Sequence, residues 1–473
     1  MTLNDRPDIL LLTIDCWRGD YLGAQGNQPS PTPHLDRLAA ESTRFERAFA
    51  CGGWTRVAMT VLFSSTFGSM HGGVKRVISP TRPMASEELG RNGYETAGFT
   101  ANPVCGEKAG FSRGFGTFGD LYFDDRPGWL KWLGKNAVTR RLLYLPPLHW
   151  LLWALGVYDS PMPPYMATSA KELTEHTLDW LRQSPPSPSF LWAHYVDPHW
   201  PYAATRRAHG PREVAESWWD RFIYRRVPQA HGRYYPGDKR ARRWYSLYRD
   251  EVTAVDEEIG RLIAYLRETG RWENTVVIVT GDHGEEFYEH GTFAHSWNQL
   301  HDEGVRVPLL IRVPGQKEGR TIREPVSHLD LAPTMLDAAG VTPPEGMLGR
   351  SLLPYVRGED PAPLAERPAY AEMMGHRHSA KYRLGIRTAT HTYIYDAERP
   401  HAKKLYDVEA DPAEMNNLAG DCPELLRHFE ALRLEHVSRG LLDLLQQDEV
   451  EEDPFTADED ALVRERLEAL GYL

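Results

Sequence analysis

The sequence predicts an α/β protein whose large, mainly parallel sheet is flanked by helices and followed by a small C-terminal α+β subdomain. Apolar runs typical of buried strands alternate with helical segments, and each run ends in a polar cluster. After about residue 360, short strand-like runs follow one another without intervening helices. With 473 residues, the chain is long enough for two core-forming units. We therefore expect a main domain over 1–360, with an insertion at about 124–164, and a subdomain over 361–473.

In the first half of the chain, the apolar run Asp8–Ile14 predicts a strand buried on both faces, with Asp15 just past its carboxyl end. Ligands bind at that edge in open α/β sheets. The remaining predicted elements are a helix at 33–42, a strand at 45–50, a helix from Thr55, a helix at 87–92 and a strand at 95–100.

In the second half, apolar residues spaced four and three apart from Tyr248 to Leu266 predict the strongest amphipathic helix of the chain. We predict further helices at 168–181, 329–339 and 423–436, and strands at 190–196, 275–280, 307–313, 368–371, 382–386, 392–395 and 404–406. The segment 213–237, rich in aromatic residues and arginine, is predicted to form loops.

Composition excludes several classes of protein. Lys plus Arg number 54 against 66 Asp plus Glu, which gives a net charge of −12. Because the chain also has no long basic run, we do not expect nucleic acid to be a partner. The four cysteines, at 16, 51, 105 and 422, show no paired spacing, which argues against a disulfide framework or a zinc knuckle. Residues 1–7 carry no secretory signal pattern, so we expect a cytoplasmic protein; the sequence leaves its oligomeric state open.

The apolar segment from Leu142 to Tyr158 is about as long as the shortest membrane span. Because Pro146, Pro147 and His149 interrupt it, we predict no transmembrane helix. A buried hairpin, a lid over a pocket and an interfacial patch that contacts a membrane surface or lipid-like substrates remain open alternatives.

Thr55 opens a predicted helix and is the candidate nucleophile. It occupies the position of an N-cap residue, where unpaired backbone N–H groups and the helix dipole favour an anion or a forming alkoxide. The alternative is that Thr55 only caps the helix.

Asp282 and His283 follow a buried strand and, together with Asp15, form a candidate divalent-metal site that Thr55 Oγ1 could join. Mixed oxygen and nitrogen ligands suit Mn²⁺ or Zn²⁺, whereas an all-oxygen site would suit Ca²⁺ or Mg²⁺. Such an ion lowers the pKa of a neighbouring hydroxyl and neutralises an anionic ester. Alternatively, Asp282 and His283 form an ordinary polar turn, and Asp15 caps a helix.

These stretches resemble the sulfatase family of the alkaline phosphatase superfamily, and the resemblance extends over nearly the whole chain. It implies an α/β core with a small antiparallel sheet near the C-terminus, and hydrolysis of sulfate or phosphate esters. The matching segments are LLTIDCWRGDYLG, WTRVAMTVLFSSTFGSMHG, DPHWPY, TGDHGEEFYEHG, VRVPLLIRVPG, VSHLDLAPTMLDAAGV, GRSLLPYVRG, LYDVEADPAEMNNLA and ALGYL.

The resemblance implies roles for individual residues. Asp15, Asp282 and His283 match metal ligands, and Thr55 matches the nucleophile. The implied cofactor is one divalent ion (Ca²⁺, Mn²⁺ or Zn²⁺); a second would need further ligands such as Asp197 and His328. His199 and His295 match groups that contact the substrate oxyanion or leaving group, and Asn102 matches an oxyanion-binding group. His199 could act as a general acid or pack beneath Trp200 and Tyr202.

The chain departs from the family at the nucleophile. Sulfatases convert Cys or Ser within Cys/Ser-x-Pro-x-Arg to formylglycine, whereas here the residues are Thr55, Val57 and Met59, and Cys16 replaces a second carboxylate. A threonine alkoxide needs no formylglycine to attack phosphorus. We therefore predict a metal-dependent hydrolase of a small-molecule, glycan or lipid-like anionic ester, most plausibly a phosphate or phosphonate. The alternatives are a catalytically silent homologue that binds an anionic ligand, and a phosphotransferase.

Overall fold

A mixed sheet of nine strands forms the centre of the part of the chain that the computed structural model describes. That part comprises residues 6–71, 73, 77–121, 169–183, 188–200, 202, 239–295, 300–359, 367–374 and 382–444. The predicted insertion at 124–164 and the predicted loops at 213–237 lie outside it. The strands are β1 (Asp8–Ile14), β2 (Thr43–Phe49), β3 (Glu95–Thr100), β4 (Thr117–Asp120), β5 (Ser189–Tyr195), β6 (Thr275–Gly281), β7 (Arg306–Arg312), β8 (Arg320–Ile322) and β9 (Val326–Ser327).

The strand order is β4-β3-β5-β1-β6-β7-β2-β8, and β9 also pairs with β2. Most neighbours are parallel, as predicted, but β7 runs antiparallel to both β6 and β2. The order places β1 between β5 and β6, and all three point their carboxyl ends to the same edge. The residues that follow these strands therefore meet at the centre of that edge.

Helices cover both faces of the sheet. In chain order, the helices of the described residues are α1 (Pro33–Ala39), α2 (Thr55–Ser64), α3 (Ala85–Arg91), α4 (Ala170–Gln183), α5 (Lys239–Glu268), α6 (Asp302–Val305), α7 (Leu331–Ala338), α8 (Leu353–Arg357) and α9 (Pro423–Leu444). On one side of the sheet α1 and α4 pack on α5, whereas α2, α3 and α7 pack together on the other side. No helix in these described ranges is long and apolar enough to span a membrane.

Alternate side chains of the central strands fill two separate apolar cores. Ile9 and Leu11 of β1 pack with the core around α2 and α7, whereas Leu10 and Leu12 pack with the core around α5. Each strand is thus buried on both faces, which explains the uninterrupted apolar runs in the sequence.

A second sheet of four antiparallel strands lies in the C-terminal region, as the resemblance implied. Glu372 ties this sheet to the main core, because its N–H donates to the carbonyl of Cys51 at 2.9 Å. Its buried carboxylate accepts hydrogen bonds from Ser69 and from His436 of α9. The strands are β10 (Ala369–Met374), β11 (Tyr382–Arg387), β12 (His391–Asp396) and β13 (Lys404–Asp407).

Candidate active site

Four strands deliver polar side chains to one point at the carboxyl edge of the sheet. Asp15 follows β1, Asp282 follows β6, His199 follows β5 and Asn102 follows β3, and each is buried. The N–H of Asp282 donates to Ile14 O at 3.1 Å and that of Asp15 to Tyr195 O at 2.8 Å, so the ladder continues past the strand ends. The fold therefore assembles the predicted ligands although they are far apart in sequence.

The three predicted metal ligands and Thr55 surround a common centre. His283 Nε2 lies 3.7 Å from Asp15 Oδ1, 3.6 Å from Asp282 Oδ2 and 3.3 Å from Thr55 Oγ1. Ligand atoms about 2.0–2.3 Å from one ion, at tetrahedral angles, lie about 3.3–3.8 Å from one another. These spacings therefore fit a divalent cation.

Electrostatics of the two aspartates support the same conclusion. Burial raises the pKa of Asp282, and the neighbouring Asp15 carboxylate raises it further. Burial alone would raise the pKa of Asp15 as well, but His199, His194 and His283 outweigh burial and lower it. Among the described residues, the buried Asp282 Oδ2 has no hydrogen-bond partner. Two neighbouring carboxylates with an unsatisfied oxygen are a donor set that a divalent cation satisfies.

Local hydrogen bonds orient the Asp282–His283 pair. Asp282 Oδ1 accepts from the N–H groups of Cys16 at 3.0 Å and His283 at 2.6 Å, which leaves Oδ2 toward the centre. His283 Nδ1 lies 2.8 Å from Gly284 O, and because a carbonyl only accepts, Nδ1 carries the proton. Nε2 is therefore the ring nitrogen that faces the centre and the one to which an ion would bind. A Cβ on Gly284 would lie 1.9 Å from Glu303 O, so this turn requires glycine.

Thr55 is the first helical residue of α2, not its N-cap, which corrects the sequence-based expectation. The N-cap is Trp54, whose φ of −157° and ψ of 151° are extended and whose side chain makes no capping bond. All ten residues of α2 are buried, so the packing fixes the position of Thr55. Its hydroxyl remains at the first turn of α2, where the helix dipole stabilises an anion.

His199 and His295 lie together beside the centre, but their electrostatic environments differ. Their ring centroids are 4.6 Å apart, and His295 Nδ1 donates to Glu285 Oε1 at 3.0 Å. Burial lowers the pKa of His199 to about 4. Burial would also lower the pKa of His295, but Glu285 outweighs it and raises the pKa above the usual 6.5. Of the two histidines, His295 is therefore the one whose surroundings favour the imidazolium form.

Asn102 and His194 both support Asp15. Asn102 Nδ2 donates to Asp15 Oδ2 at 2.7 Å, whereas Asn102 Oδ1 accepts from Val104 N at 3.0 Å. The structure thus places Asn102 at the centre, and its predicted contact with a substrate oxyanion stays a prediction. His194 Nε2 lies 3.7 Å from the same Asp15 oxygen.

Hydrogen bonds within the sheet hold His194 beside Asp15, a contact that the sequence analysis did not predict. Trp192 Nε1 donates to Thr13 Oγ1 at 2.9 Å, and Thr13 Oγ1 lies 2.8 Å from His194 Nδ1. A hydroxyl oxygen can accept two hydrogen bonds and donate one, so Thr13 links the indole to the imidazole whichever nitrogen of His194 carries a proton. The register that pairs Thr13 with His194 on β1 and β5 creates this relay, and only sheet pairing could have revealed it.

Asp197 and His328, which were suggested as ligands of a second ion, make other contacts. Asp197 Oδ1 accepts from Ala170 N at 2.9 Å, at the start of α4, and His328 Nε2 lies 3.4 Å from Thr280 Oγ1. Neither belongs to a group of three potential ligand atoms within the described ranges.

A separate cluster of His290, His301 and Glu414 does not suit an ion as it stands. The two imidazoles stack 3.5 Å apart with an angle of 6° between their planes, so their in-plane lone pairs cannot converge. His301 is already held between Glu414 at 2.7 Å and Lys404 at 2.9 Å.

An α/β sheet that gathers two aspartates, a histidine and a helix-borne hydroxyl at one edge is an arrangement that suits ester hydrolysis. The family comparison agrees: residues 7–341 match the sulfatase family, and residues 288–433 match the C-terminal region of N-sulphoglucosamine sulphohydrolase. The chain belongs to the sulfatase family, a family of ester hydrolases.

Individual relatives cover nearly the whole chain. An N-acetylglucosamine-6-O-sulfatase of Bacteroides thetaiotaomicron is 26% identical over 91% of this chain and 85% of its own. The multifunctional alkaline phosphatase superfamily protein PehA of Trinickia caryophylli is 27% identical over 92% and 97%. The crystal structure of a phosphonate monoester hydrolase of Agrobacterium radiobacter superposes with a TM-score of 0.66 at 23% identity, over 93% and 95%. This last likeness shows the fold.

Proposed function

We propose that this chain is a metal-dependent hydrolase of phosphonate or phosphate esters that uses Thr55 as its nucleophile, with sulfate esters as the second candidate substrate. The observation that carries the proposal is the 3.3 Å between Thr55 Oγ1 and His283 Nε2, within the group of predicted metal ligands. The relatives support both chemistries, because they include a sulfatase and an alkaline phosphatase superfamily protein.

The proposed centre comprises Asp15, Asp282, His283 and Thr55. A divalent ion held there would neutralise the ester oxyanions and lower the pKa of the adjacent hydroxyl. Thr55 is buried and fixed at the first turn of α2, where the helix N-terminus favours an alkoxide.

His295 is the proposed general acid. Thr55 loses its hydroxyl proton to solvent, its Oγ1 attacks phosphorus, the bond to the leaving oxygen breaks, and the His295 imidazolium donates a proton to that oxygen. Glu285 favours the protonated form of His295. His199, whose lowered pKa leaves it neutral, is proposed to bind the ester through a hydrogen bond. Water then releases the phosphoryl group from Thr55, and an alcohol in place of water would give a transferase.

The test compares Thr55→Ala with Thr60→Ala on aryl phosphonate monoesters, aryl phosphodiesters and aryl sulfates. Thr60 lies on the same buried helix, so its variant controls for loss of a buried threonine hydroxyl. We expect Thr55→Ala to lower kcat by at least about 10³-fold and Thr60→Ala to keep activity. Full activity in Thr55→Ala would refute the assignment of Thr55 as the nucleophile.

The same panel separates the remaining candidates. Hydrolysis of aryl sulfates that persists in Thr55→Ala would favour a sulfatase whose mechanism does not use Thr55. Tight metal binding without turnover on any ester would favour a silent homologue. Glycerol phosphorylated at the expense of free phosphate would indicate a phosphotransferase.

A further inference from the structure

Cys16 occupies a backbone conformation that turns its sulfur into the metal centre. Its φ of 57° lies in the left-handed region, which costs an L-residue with a side chain about 1–2 kcal/mol. The conformation lets its N–H bind Asp282 Oδ1 at 3.0 Å and brings its Sγ to 3.2 Å from Asp15 Oδ1. Strain of this kind persists where the surrounding structure demands a particular side-chain position.

The sulfur lies among potential ligand atoms on two sides. With Asp15 and His283 it forms a buried group whose ligand atoms all lie within 4.8 Å of one another. A second such group joins the same sulfur to His199 and His295, whose Nδ1 is 3.5 Å from Sγ. Independently, the fully buried Asp282 Oδ2 has no hydrogen-bond partner among the described residues, and a bound cation would satisfy it.

We propose that Cys16 Sγ is a ligand of the ion held by Asp15, Asp282 and His283, and that this sulfur selects Zn²⁺ over Ca²⁺ and Mg²⁺. The inference rests on the metal centre of the proposed function. Oxygen, nitrogen and thiolate sulfur together form a donor set typical of zinc, whereas Ca²⁺ and Mg²⁺ take oxygen. Binding replaces the proton on Sγ by the ion, and the proton leaves to solvent.

The first test needs no variant. The metal-free full-length chain is loaded with one equivalent of Zn²⁺, and zinc K-edge X-ray absorption counts the sulfur neighbours. We expect one sulfur at about 2.3 Å, and a shell of oxygen and nitrogen alone would overturn the proposal.

The second test uses Co²⁺ as a coloured probe. A sulfur-to-cobalt charge-transfer band is expected in the wild-type protein and in Cys105→Ser, and should be lost in Cys16→Ser. Cys105 is the matched control, since it is equally buried but belongs to none of the ligand groups. We expect Cys16→Asp to lower the preference for Zn²⁺ over Ca²⁺ by about 10–100-fold. A band that survives in Cys16→Ser would contradict the assignment.

The number of ions bound per chain distinguishes the two groups of ligand atoms that contain Cys16 Sγ. One ion per chain, with a band retained in His199→Ala, supports the proposal. Two ions, with a band that disappears in His199→Ala and persists in Asp15→Asn, would assign the sulfur to a different ion and overturn it. A sulfur neighbour without ester hydrolysis would refute the proposed function alone, whereas hydrolysis without a sulfur neighbour would refute this inference alone.

Discussion

Replacing Glu285 by glutamine is expected to shift the alkaline limb of the pH–rate profile to lower pH. Glu285 Oε1 lies 3.0 Å from His295 Nδ1 and raises the pKa of that imidazole against the effect of burial. In Glu285→Gln the burial remains but the charge is gone, so the pKa of His295 falls. Since His295 must be protonated to donate, activity fails earlier as the pH rises.

The magnitude follows from the contact. An opposite charge this close shifts a pKa by about 1–3 units, and each unit corresponds to about 1.4 kcal/mol. The glutamine carbonyl can still accept from Nδ1–H, so the substitution removes the charge of Glu285 and keeps a hydrogen-bond acceptor. We therefore expect the alkaline limb to move down by about 1–3 pH units.

The assay is kcat/KM between about pH 5 and 9 for two aryl phosphonate esters whose leaving phenols differ in acidity. The ester with the more basic leaving group should be more sensitive, because it needs the proton more. Glu286→Gln is the control for loss of a buried carboxyl group in the same loop: Glu286 is equally buried and contacts Thr292, but burial raises its pKa to about 8, so its substitution removes little charge at neutral pH. An unmoved alkaline limb in Glu285→Gln, or an equal shift in Glu286→Gln, would refute the assignment of His295.

Three further substitutions test the packing around the site. Thr13→Val should lower the free energy of unfolding by about 1–3 kcal/mol in urea titrations, because Trp192 Nε1 and His194 Nδ1 both lose their partner. It should also weaken metal binding by about tenfold or more; unchanged affinity would show that the relay does not orient Asp15. Phe63→Ala should cost about 3–5 kcal/mol, since Phe63 is fully buried edge-on against Trp192, and a loss below 1 kcal/mol would contradict that packing. Glu372→Ala should cost about 3–5 kcal/mol at neutral pH, because it leaves His436 unpaired in the core. Burial would raise the pKa of Glu372, but His436 outweighs burial and lowers it below the usual 4.5. The ionised Glu372 therefore stabilises the fold above about pH 4.5, and this stabilisation is lost as the carboxylate is protonated in acid. The difference in unfolding free energy between wild type and Glu372→Ala should accordingly shrink as the pH falls.

Sequence alone predicted the central strands and the convergence of Asp15, Asp282 and His283 for physical reasons. A strand buried on both faces reads as an unbroken apolar run, so β1 and β6 were evident, and the polar residues after them had to meet at one edge. The direction of β7 was not predictable, because burial is the same for parallel and antiparallel neighbours. The short strands β4, β8 and β9 carry too few residues for a periodic pattern.

The environment of each site residue was less predictable than its identity. Whether Thr55 is an N-cap or the first helical residue depends on backbone angles at Trp54 that no pattern encodes. The contrast between His199 and His295 arises from Glu285, which belongs to the sequence motif but faces His295 only in the fold. His194 contacts Asp15 only through the register of two strands.

The wide separation of the ligands along the chain determines when the centre can form. Asp15 leaves the ribosome early, whereas Asp282, His283 and His295 follow only after more than half of the chain has been made. If the proposed ion is bound, a nascent polypeptide therefore cannot retain it until β6 has inserted beside β1. Metal loading would then be a late event, and the binding energy would contribute to the stability of the finished protein without guiding the first steps of its folding.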